Sequence, residues 1–343
     1  MEYGAIDLHL RRSVFRIEDE TGALVVEGRI DTSRADVSRI FADRLPMRIL
    51  MESSTDSEWV AVLLESFGHE VIVAAPNYLP MYGDRQRRVK TDQRDVRALA
   101  IACRQGHYRR AHRVAPATRT LRQQMRVRRH LVQMRTQTVN VLRALLRQEG
   151  LRLPSGDIST VLARFERLAL PPTLARVLQP LHTWLTTLQT LIADADAAAE
   201  SAAAADPAMQ NLMSVPGVGP VIALTYRAVL DTPSRFAGNP GRASAFLGLV
   251  PSEYSSGERQ RRGRITKRGP RELRALLVQA GWGVWRGRSA AGAPLRAWVQ
   301  TLAARRGRRV AIVALARRLS RILFAVWRDG TSFMPRHLCA TTA

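Results

Sequence analysis

The sequence predicts a mixed α/β domain, then a pair of long helices, then a mostly helical C-terminal domain. Three observations carry that reading. In the first hundred residues strand-like runs form a hairpin array and then alternate with helical ones, as in a mixed sheet with helices packed on it. From Ala117 onward the strand signals stop, and apolar residues recur at sevens or at alternating fours and threes. After an alanine-rich tract from Ala193 to Ala205, an apolar-Pro-Gly-x-Gly turn opens a third segment.

An apolar run around Asp7, the stretch Ser13 to Ile17, a turn at Asp19-Glu20-Thr21-Gly22 and the stretch Ala23 to Val26 read as a meander. After a polar segment come a short strand from Arg48 to Glu52, a helix from Asp56 to Phe67, a strand from Glu70 to Ala74 and a helix from Asp92 to Cys103. This is the layout of an RNase H-like domain, assigned to residues 1–112. Met125, Val132, Val139 and Leu146 then form one seam, and Leu174, Leu178, Leu181, Leu185, Leu188, Ile192 and Ala195 another. They predict a coiled-coil spacer over residues 113–206, paired within one chain or between chains, with its turn around Gly150 to Ser159. A helix of about 30 residues is roughly 45 Å long, enough to hold two domains apart. Pro180 interrupts the second seam and predicts a kink or a late helix start. Residues 207–330 form the third domain and 331–343 a tail.

The 343 residues suffice for two or three cores. Lysine and arginine total 53 against 29 acids, a formal charge of +24, which favours polyanionic partners and nucleic acid first. The start Met1-Glu2-Tyr3-Gly4 has no basic leader, and no apolar run approaches the roughly 18 residues of a spanning helix. A cytoplasmic protein without membrane contact is expected. Cys103 and Cys339 fit neither a zinc pattern nor a disulfide framework, and the seven histidines show no metal-ligand spacing.

Residues 104–152 hold thirteen arginines and one acid, Glu149. A solvated helix face is usually mixed in sign, so Arg122, Arg126 and Arg129 are candidate nucleic-acid contacts. In Ser214-Val215-Pro216-Gly217-Val218-Gly219-Pro220, Gly217 and Gly219 could let backbone N–H groups at a helix start approach a phosphate. A plain helix-helix turn would read the same way. The stretch from Tyr254 to Gly269 sets Ser255, Ser256 and Gly257 directly ahead of a basic run, Arg259, Arg261, Arg262, Arg264, Lys267 and Arg268. It reads either as a solvated basic loop or as a hydroxyl presented to a phosphate that the arginines hold.

In the first strand Ala5, Asp7 and His9 share one face. Glu52 ends a later strand-like run, and Asp92 and Asp95, three apart, share one side of a helix. Singly these acids have structural readings: a wet sheet face for Asp7, helix capping and the helix dipole for the pair. As a set they are hard oxygen ligands suited to Mg²⁺ or Mn²⁺, and two such ions roughly 4 Å apart can stabilise both oxygens of a phosphodiester displacement.

These residues resemble the transposases of the IS110/IS1111 group of insertion sequences, to which the pilin-gene invertases are related. The matching pieces are Ala5-Ile6-Asp7, Met51-Glu52-Ser53, Lys90 to Ala100, Val215 to Gly219, and Leu247-Gly248-Leu249-Val250-Pro251 leading to Ser255-Ser256-Gly257 and Arg262 to Gly269. They follow family order over roughly residues 3–330. The resemblance implies a RuvC-like domain whose DEDD acids are Asp7, Glu52, Asp92 and Asp95, and a C-terminal transposase domain with a nucleophilic serine, Ser256, with Ser255 as the alternative. It also implies Mg²⁺ or Mn²⁺, element and target DNA, and a structured guide (bridge) RNA that pairs with both DNAs, in a bacterial, nucleoid-associated setting. Pro270 stands where a polar residue is more usual and is expected to affect the start of the next helix. The acids and the serine are more than 150 residues apart, so a site assembled from two domains, and a homo-oligomer, dimer or tetramer, are expected. A metal-dependent nuclease or Holliday-junction resolvase without a covalent intermediate is the alternative activity, and a non-enzymatic nucleic-acid binder the third.

Overall fold

The structure is a computed structural model that describes residues 1–76, 78, 92–254 and 262–335. The chain divides into two compact units, Met1–Arg113 and Val114–Ala343.

The first unit contains β1 (Tyr3–Asp7), β2 (Arg12–Glu18), β3 (Leu24–Asp31), α1 (Arg34–Phe41), β4 (Arg48–Glu52), α2 (Ser57–Ser66), β5 (Glu70–Ala74) and α3 (Asp92–Gln105). The sheet order is β3-β2-β1-β4-β5. β1, β2 and β3 are antiparallel neighbours, whereas β4 runs parallel to both β1 and β5. Asp19 closes the β2–β3 turn, its Oδ1 accepting from the backbone of Thr21 at 2.8 Å and Ala23 at 2.9 Å. Strand alternation divides the apolar residues between two faces. Ile6, Phe15, Ile17, Ile49, Met51, Val71 and Val73 form one core with Val37 and Phe41 of α1 and Val60 and Leu64 of α2. Ala5, Val14, Leu50, Ile72 and Ala74 pack on the opposite side against Val96, Leu99, Ala100 and Cys103 of α3. α1 lies in the segment read as merely polar. It is a two-turn helix whose N-cap, Ser33, accepts from the Asp36 amide, and only Val37 and Phe41 are buried along it.

The second unit begins with α4 (Pro116–Gln148), α5 (Ile158–Glu166) and α6 (Pro172–Ala204). α4 and α6 pack along one another around Val139, Leu142, Leu146, Leu178 and Leu185, closed by Val161 and Phe165 of α5. Pro180 lies inside α6, so the late helix start expected there does not occur. The seam residues around Pro180 have apolar partners, and that packing outweighs the loss of one backbone hydrogen bond. The turn expected around Gly150 to Ser159 is present, residues 149–157 leading out of α4, but a short helix not read from the sequence, α5, follows it before α6, and the alanine-rich tract is the last part of α6. Ala199 and Ala203 are buried there in a second core with Met125.

That second core joins α7 (Pro207–Met213), α8 (Pro220–Leu230), a 3-10 turn at Pro233–Phe236, α9 (Pro240–Phe246), α10 (Arg271–Arg286), α11 (Ala293–Arg306) and α12 (Arg308–Asp329). Tyr226 of α8 is fully buried and donates its hydroxyl to the Ser320 carbonyl of α12 at 2.7 Å. α10 starts directly after Pro270, whose fixed φ suits the residue ahead of a helix. A small hairpin, β6 (Pro251–Glu253) with β7 (Arg262–Ile265), corrects the expectation that no strand follows Ala117. Strands of three and four residues without apolar alternation leave no period to read. Among the described residues no helix is long and apolar enough to cross a membrane.

Candidate active site

The register of β1 and β4 decides where the first two acids lie. Ala5 is paired with Leu50 and Ile6 with Met51 in a parallel ladder. Ala5 and Leu50 face α3, so two residues further on Asp7 and Glu52 end adjacent strands on that same face.

α3 brings the other two. At its C-terminal end the Cys103 thiol donates to the Arg48 carbonyl at 3.5 Å, and Arg104 Nε lies 3.6 Å from Glu18 Oε2. Arg48 and Glu18 are both register partners of Tyr3, at the start of β1. α3 therefore runs back along the strands. Its 14 residues span about 21 Å at 1.5 Å per residue, enough to carry its first turn to the strand ends. Asp92 and Asp95 occupy that turn, and Asp95 precedes the buried Leu99 by four residues, on the sheet-facing stripe.

Direct distances confirm the approach. His9 Nε2 lies 3.3 Å from Asp7 Oδ2 and 3.7 Å from Asp92 Oδ1. One donor atom from each of the three falls within 4.8 Å of the others. Asp92 Oδ2 is also 4.0 Å from Arg29 Nη2 on β3. The structure thus places Asp7 and Asp92 together directly; Glu52 lies on the same sheet face and Asp95 in the same first helical turn, outside that group of three. His9 was not singled out as a ligand in the sequence; the available signal was its place in the alternation Ala5, Asp7, His9. Clustered carboxylates repel one another without a cation, and oxygen donors with one imidazole at this spacing can hold a divalent metal ion.

In the second unit, Ser255, Ser256, Arg259 and Arg261 lie outside the described residues, between β6 and β7 in the chain. Arg262 opens β7, and Arg264, Lys267 and Arg268 are exposed. The base of this hairpin is a close backbone crossing. Thr266 N donates to Val250 O at 2.9 Å and Lys267 N to Gly248 O at 3.1 Å. A Cβ on Gly269 would stand 1.9 Å from Phe246 O, and one on Gly248 2.1 Å from Arg268 O. Both glycines have positive φ, so no other residue fits either place without displacing backbone. The Leu247-to-Pro251 and Ile265-to-Gly269 motifs, distant in sequence, are one structural element.

Gly217, at φ +82°, packs against α10, where an added Cβ would meet Ala280 O at 2.6 Å. Gly219 caps the start of α8 with open space around it. The basic helix α4 divides similarly. Arg122 is half-buried and donates to the carbonyls of Ala228 at 2.9 Å and Val229 at 3.3 Å. Burial first, and then the like charge of Arg126, lower its pKa. Arg129 pairs with Glu272 at 3.1 Å and Arg128 with Asp196, while Arg126 is exposed. Part of the arginine excess is therefore internal stitching.

Comparison with known proteins bears directly on this arrangement. A DEDD-type transposase model of the IS110 group matches residues 5–150, and the model described as the transposase IS116/IS110/IS902 family matches residues 209–294. A probable family 20 transposase from Pseudomonas aeruginosa is 30% identical over 344 residues, spanning 98% of this chain and 100% of its own. The chain belongs to the IS110 family of transposases. It is similar as well to the transposase of insertion sequence IS1328 from Yersinia enterocolitica, 28% identical over 96% of this chain and 98% of the other. The transposase of IS1111A from Coxiella burnetii is 26% identical over 94% and 88%. As an IS110-family transposase the protein is an enzyme of a class that cuts and rejoins DNA. The first matched region contains Asp7, Glu52, Asp92 and Asp95; the second contains Gly217, Gly219 and Ser256.

Proposed function

We propose that this IS110-family transposase moves its insertion sequence by RNA-guided strand exchange, with Ser256 as nucleophile and Asp7, Glu52, Asp92 and Asp95 as holders of Mg²⁺ or Mn²⁺. The observation that carries the reading is the meeting of Asp7 and Asp92 around His9 at the rim of the sheet. The sheet order β3-β2-β1-β4-β5, three antiparallel strands followed by two parallel ones, supports an RNase H-like, RuvC-like first unit. The formal charge of +24 suits a protein that holds both DNA and a structured guide RNA, and the reading includes a homo-oligomer that brings the acids and the serine together.

In this reading the Ser256 hydroxyl loses its proton and its Oγ bonds to the phosphorus of a DNA phosphodiester. One phosphorus–oxygen bond to the sugar breaks, and that oxygen leaves as a hydroxyl once protonated. A strand-end hydroxyl of the new partner later attacks the phosphoserine and releases the serine, so no bond energy is lost to water. Serine is a weak nucleophile at its ordinary pKa, and the positive side chains following it, Arg259, Arg261, Arg262, Arg264 and Lys267, offset the charge that develops on the phosphate. When bound, the divalent ion supplies further stabilisation of that charge. The four carboxylates position and hold it.

The test is incubation of the purified protein with Mg²⁺, its cognate RNA and end-labelled element-junction DNA, followed by denaturing gels. A protein–DNA adduct is expected in the wild type and absent in Ser256→Ala and Asp7→Ala. Cleavage that persists in Ser256→Ala and yields free 5′-phosphate ends sinks the serine step and makes the protein a metal-dependent nuclease or resolvase.

A further inference from the structure

We infer that His9 is itself a ligand of the metal ion held at Asp7 and Asp92, and that this nitrogen makes the site select Mn²⁺ over Mg²⁺. The inference rests on the metal-site reading above and adds to it a residue outside the four acids. Asp7 is the last residue of β1, and His9 is on the two residues of chain that follow before the turn into β2. Strand alternation carries its side chain to the face where α3 begins.

The distances suit one ion better than a hydrogen-bonded triad. An imidazole N–H bound to a carboxylate prefers about 2.8 Å, whereas both separations here are longer, 3.3 and 3.7 Å. Two ligands about 2.1 to 2.2 Å from a common ion and at right angles to each other stand about 3 Å apart, and wider angles reach about 3.7 Å. Nε2 of His9 is thus placed as a neighbour of both carboxylate oxygens around a shared centre. The side chains of His9 and Asp92 are nearly half exposed, at 45% and 46%, so an ion has a path in. Asp7, only 16% exposed, forms the inner wall.

Donor chemistry then sets the preference. Mg²⁺ demands an oxygen octahedron at about 2.0 to 2.1 Å and parts reluctantly with water. Imidazole suits transition ions, and a site of carboxylates with one imidazole favours Mn²⁺ among ions that also accept oxygen. Glu52 ends the adjoining strand and Asp95 lies in the same helical turn as Asp92, so the further donors on neighbouring positions are also carboxylates.

The test uses the full-length protein loaded with Mn²⁺ and pulsed electron paramagnetic resonance, which detects a directly coordinated imidazole nitrogen whether or not the enzyme turns over. Wild type is expected to show one such nitrogen. His9→Gln and His9→Ala are expected to bind Mn²⁺ without it, and to lose about ten-fold of the Mn²⁺-over-Mg²⁺ affinity ratio measured by competition. Bound Mn²⁺ with no nitrogen coupling, or coupling that survives in both variants, overturns the role of His9 while leaving the carboxylate site standing. Absence of Mn²⁺ binding that depends on Asp7, tested with Asp7→Asn, overturns the site and this inference together.

Discussion

The Cys103 thiol donates to the Arg48 carbonyl at 3.5 Å, and this contact ties the last turn of α3 to the first residue of β4. Because α3 runs back along the strands, the same contact sets the depth at which Asp92 and Asp95 arrive over Asp7 and Glu52. Cys103 is fully buried among Ala5, Leu50 and Leu99. It acts as a small apolar spacer with one weak donor.

Burial pushes the Cys103 thiol up to about 12, against the opposing pull of Arg48. The unfolded thiol ionises near 9.0, so between pH 9 and 12 the unfolded chain binds fewer protons than the folded one and stability falls as pH rises. Urea unfolding at pH 8 and pH 10 should show this loss in the wild type and a smaller one in Cys103→Ala. In a Cys339→Ser background, native protein should react with a thiol reagent at pH 8 far more slowly than urea-unfolded protein. Equal rates would mean that α3 does not cover the sheet.

Glu70 gives the acid-side counterpart. Its carboxylate accepts from Arg48 at 2.8 Å and from Arg110 at 3.0 Å, and the Arg48 hydrogen bond in particular lowers its pKa below the ordinary 4.5. A depressed carboxylate contributes stability that is fully present above its unfolded value and is lost as pH falls through its folded value. The side chain is 41% exposed, so solvent screening keeps the contribution below about 1 kcal/mol. Thermal unfolding followed from pH 7 to pH 3 should fall less steeply below pH 4.5 in Glu70→Gln than in the wild type. Identical acid limbs would remove Glu70 from the account.

Strand and helix periods made much of the first unit readable in advance. Ile6, Phe15 and Ile17 against Ala5 and Val14 alternate as a sheet with two covered faces must, and Val96, Leu99 and Cys103 mark one side of a helix. What escaped has no period. α1 is two turns long, with Val37 and Phe41 buried and Ile40 half-buried against the core, too short a run to stand out, and β6 and β7 are too short to alternate. The Gly248–Gly269 crossing is a long-range approach of two backbones, and its glycines look like ordinary turn residues until the partners are known. The carboxylates were legible as a set because strand ends and helical spacing constrain them. His9 was not, because its meaning depends on how α3 lies on the sheet.

Gly217 and Gly219 were equivalent in sequence and are opposite in structure. Gly217→Ala places a Cβ against Ala280 O in a backbone conformation that alanine disfavours, which should cost about 1–3 kcal/mol or more and lower the melting temperature by several degrees. Gly219→Ala has open space and an ordinary φ of −111°, so its stability should stay within about 1 kcal/mol of wild type. If Gly219→Ala nevertheless weakens nucleic-acid binding, as measured by fluorescence anisotropy, the helix start contacts phosphate. Unchanged affinity leaves the turn a structural joint.

Arg122 and Arg126 make the sharpest comparison on α4, being four residues apart and identical in type. Arg122 spends its guanidinium on the carbonyls of Ala228 and Val229 at the end of α8. Its partners are more than a hundred residues away in sequence, so no local pattern could separate it from its neighbour. Arg122→Ala takes the guanidinium from the Ala228 carbonyl and leaves the Val229 carbonyl to Arg235 alone, at 3.2 Å, and should destabilise the protein by about 1–3 kcal/mol, with little change in the salt dependence of nucleic-acid binding. Arg126 is exposed, and Arg126→Ala should leave stability within about 0.5 kcal/mol. If Arg126 neutralises a phosphate, its loss weakens binding across sequences and reduces the slope of log affinity against log salt by about 1. Salt titrations of both variants against labelled nucleic acid, beside urea unfolding, measure the two effects separately. An Arg126→Ala slope equal to wild type would assign this face of α4 to solvent, and an Arg122→Ala variant as stable as wild type would deny the α8 contact its structural role.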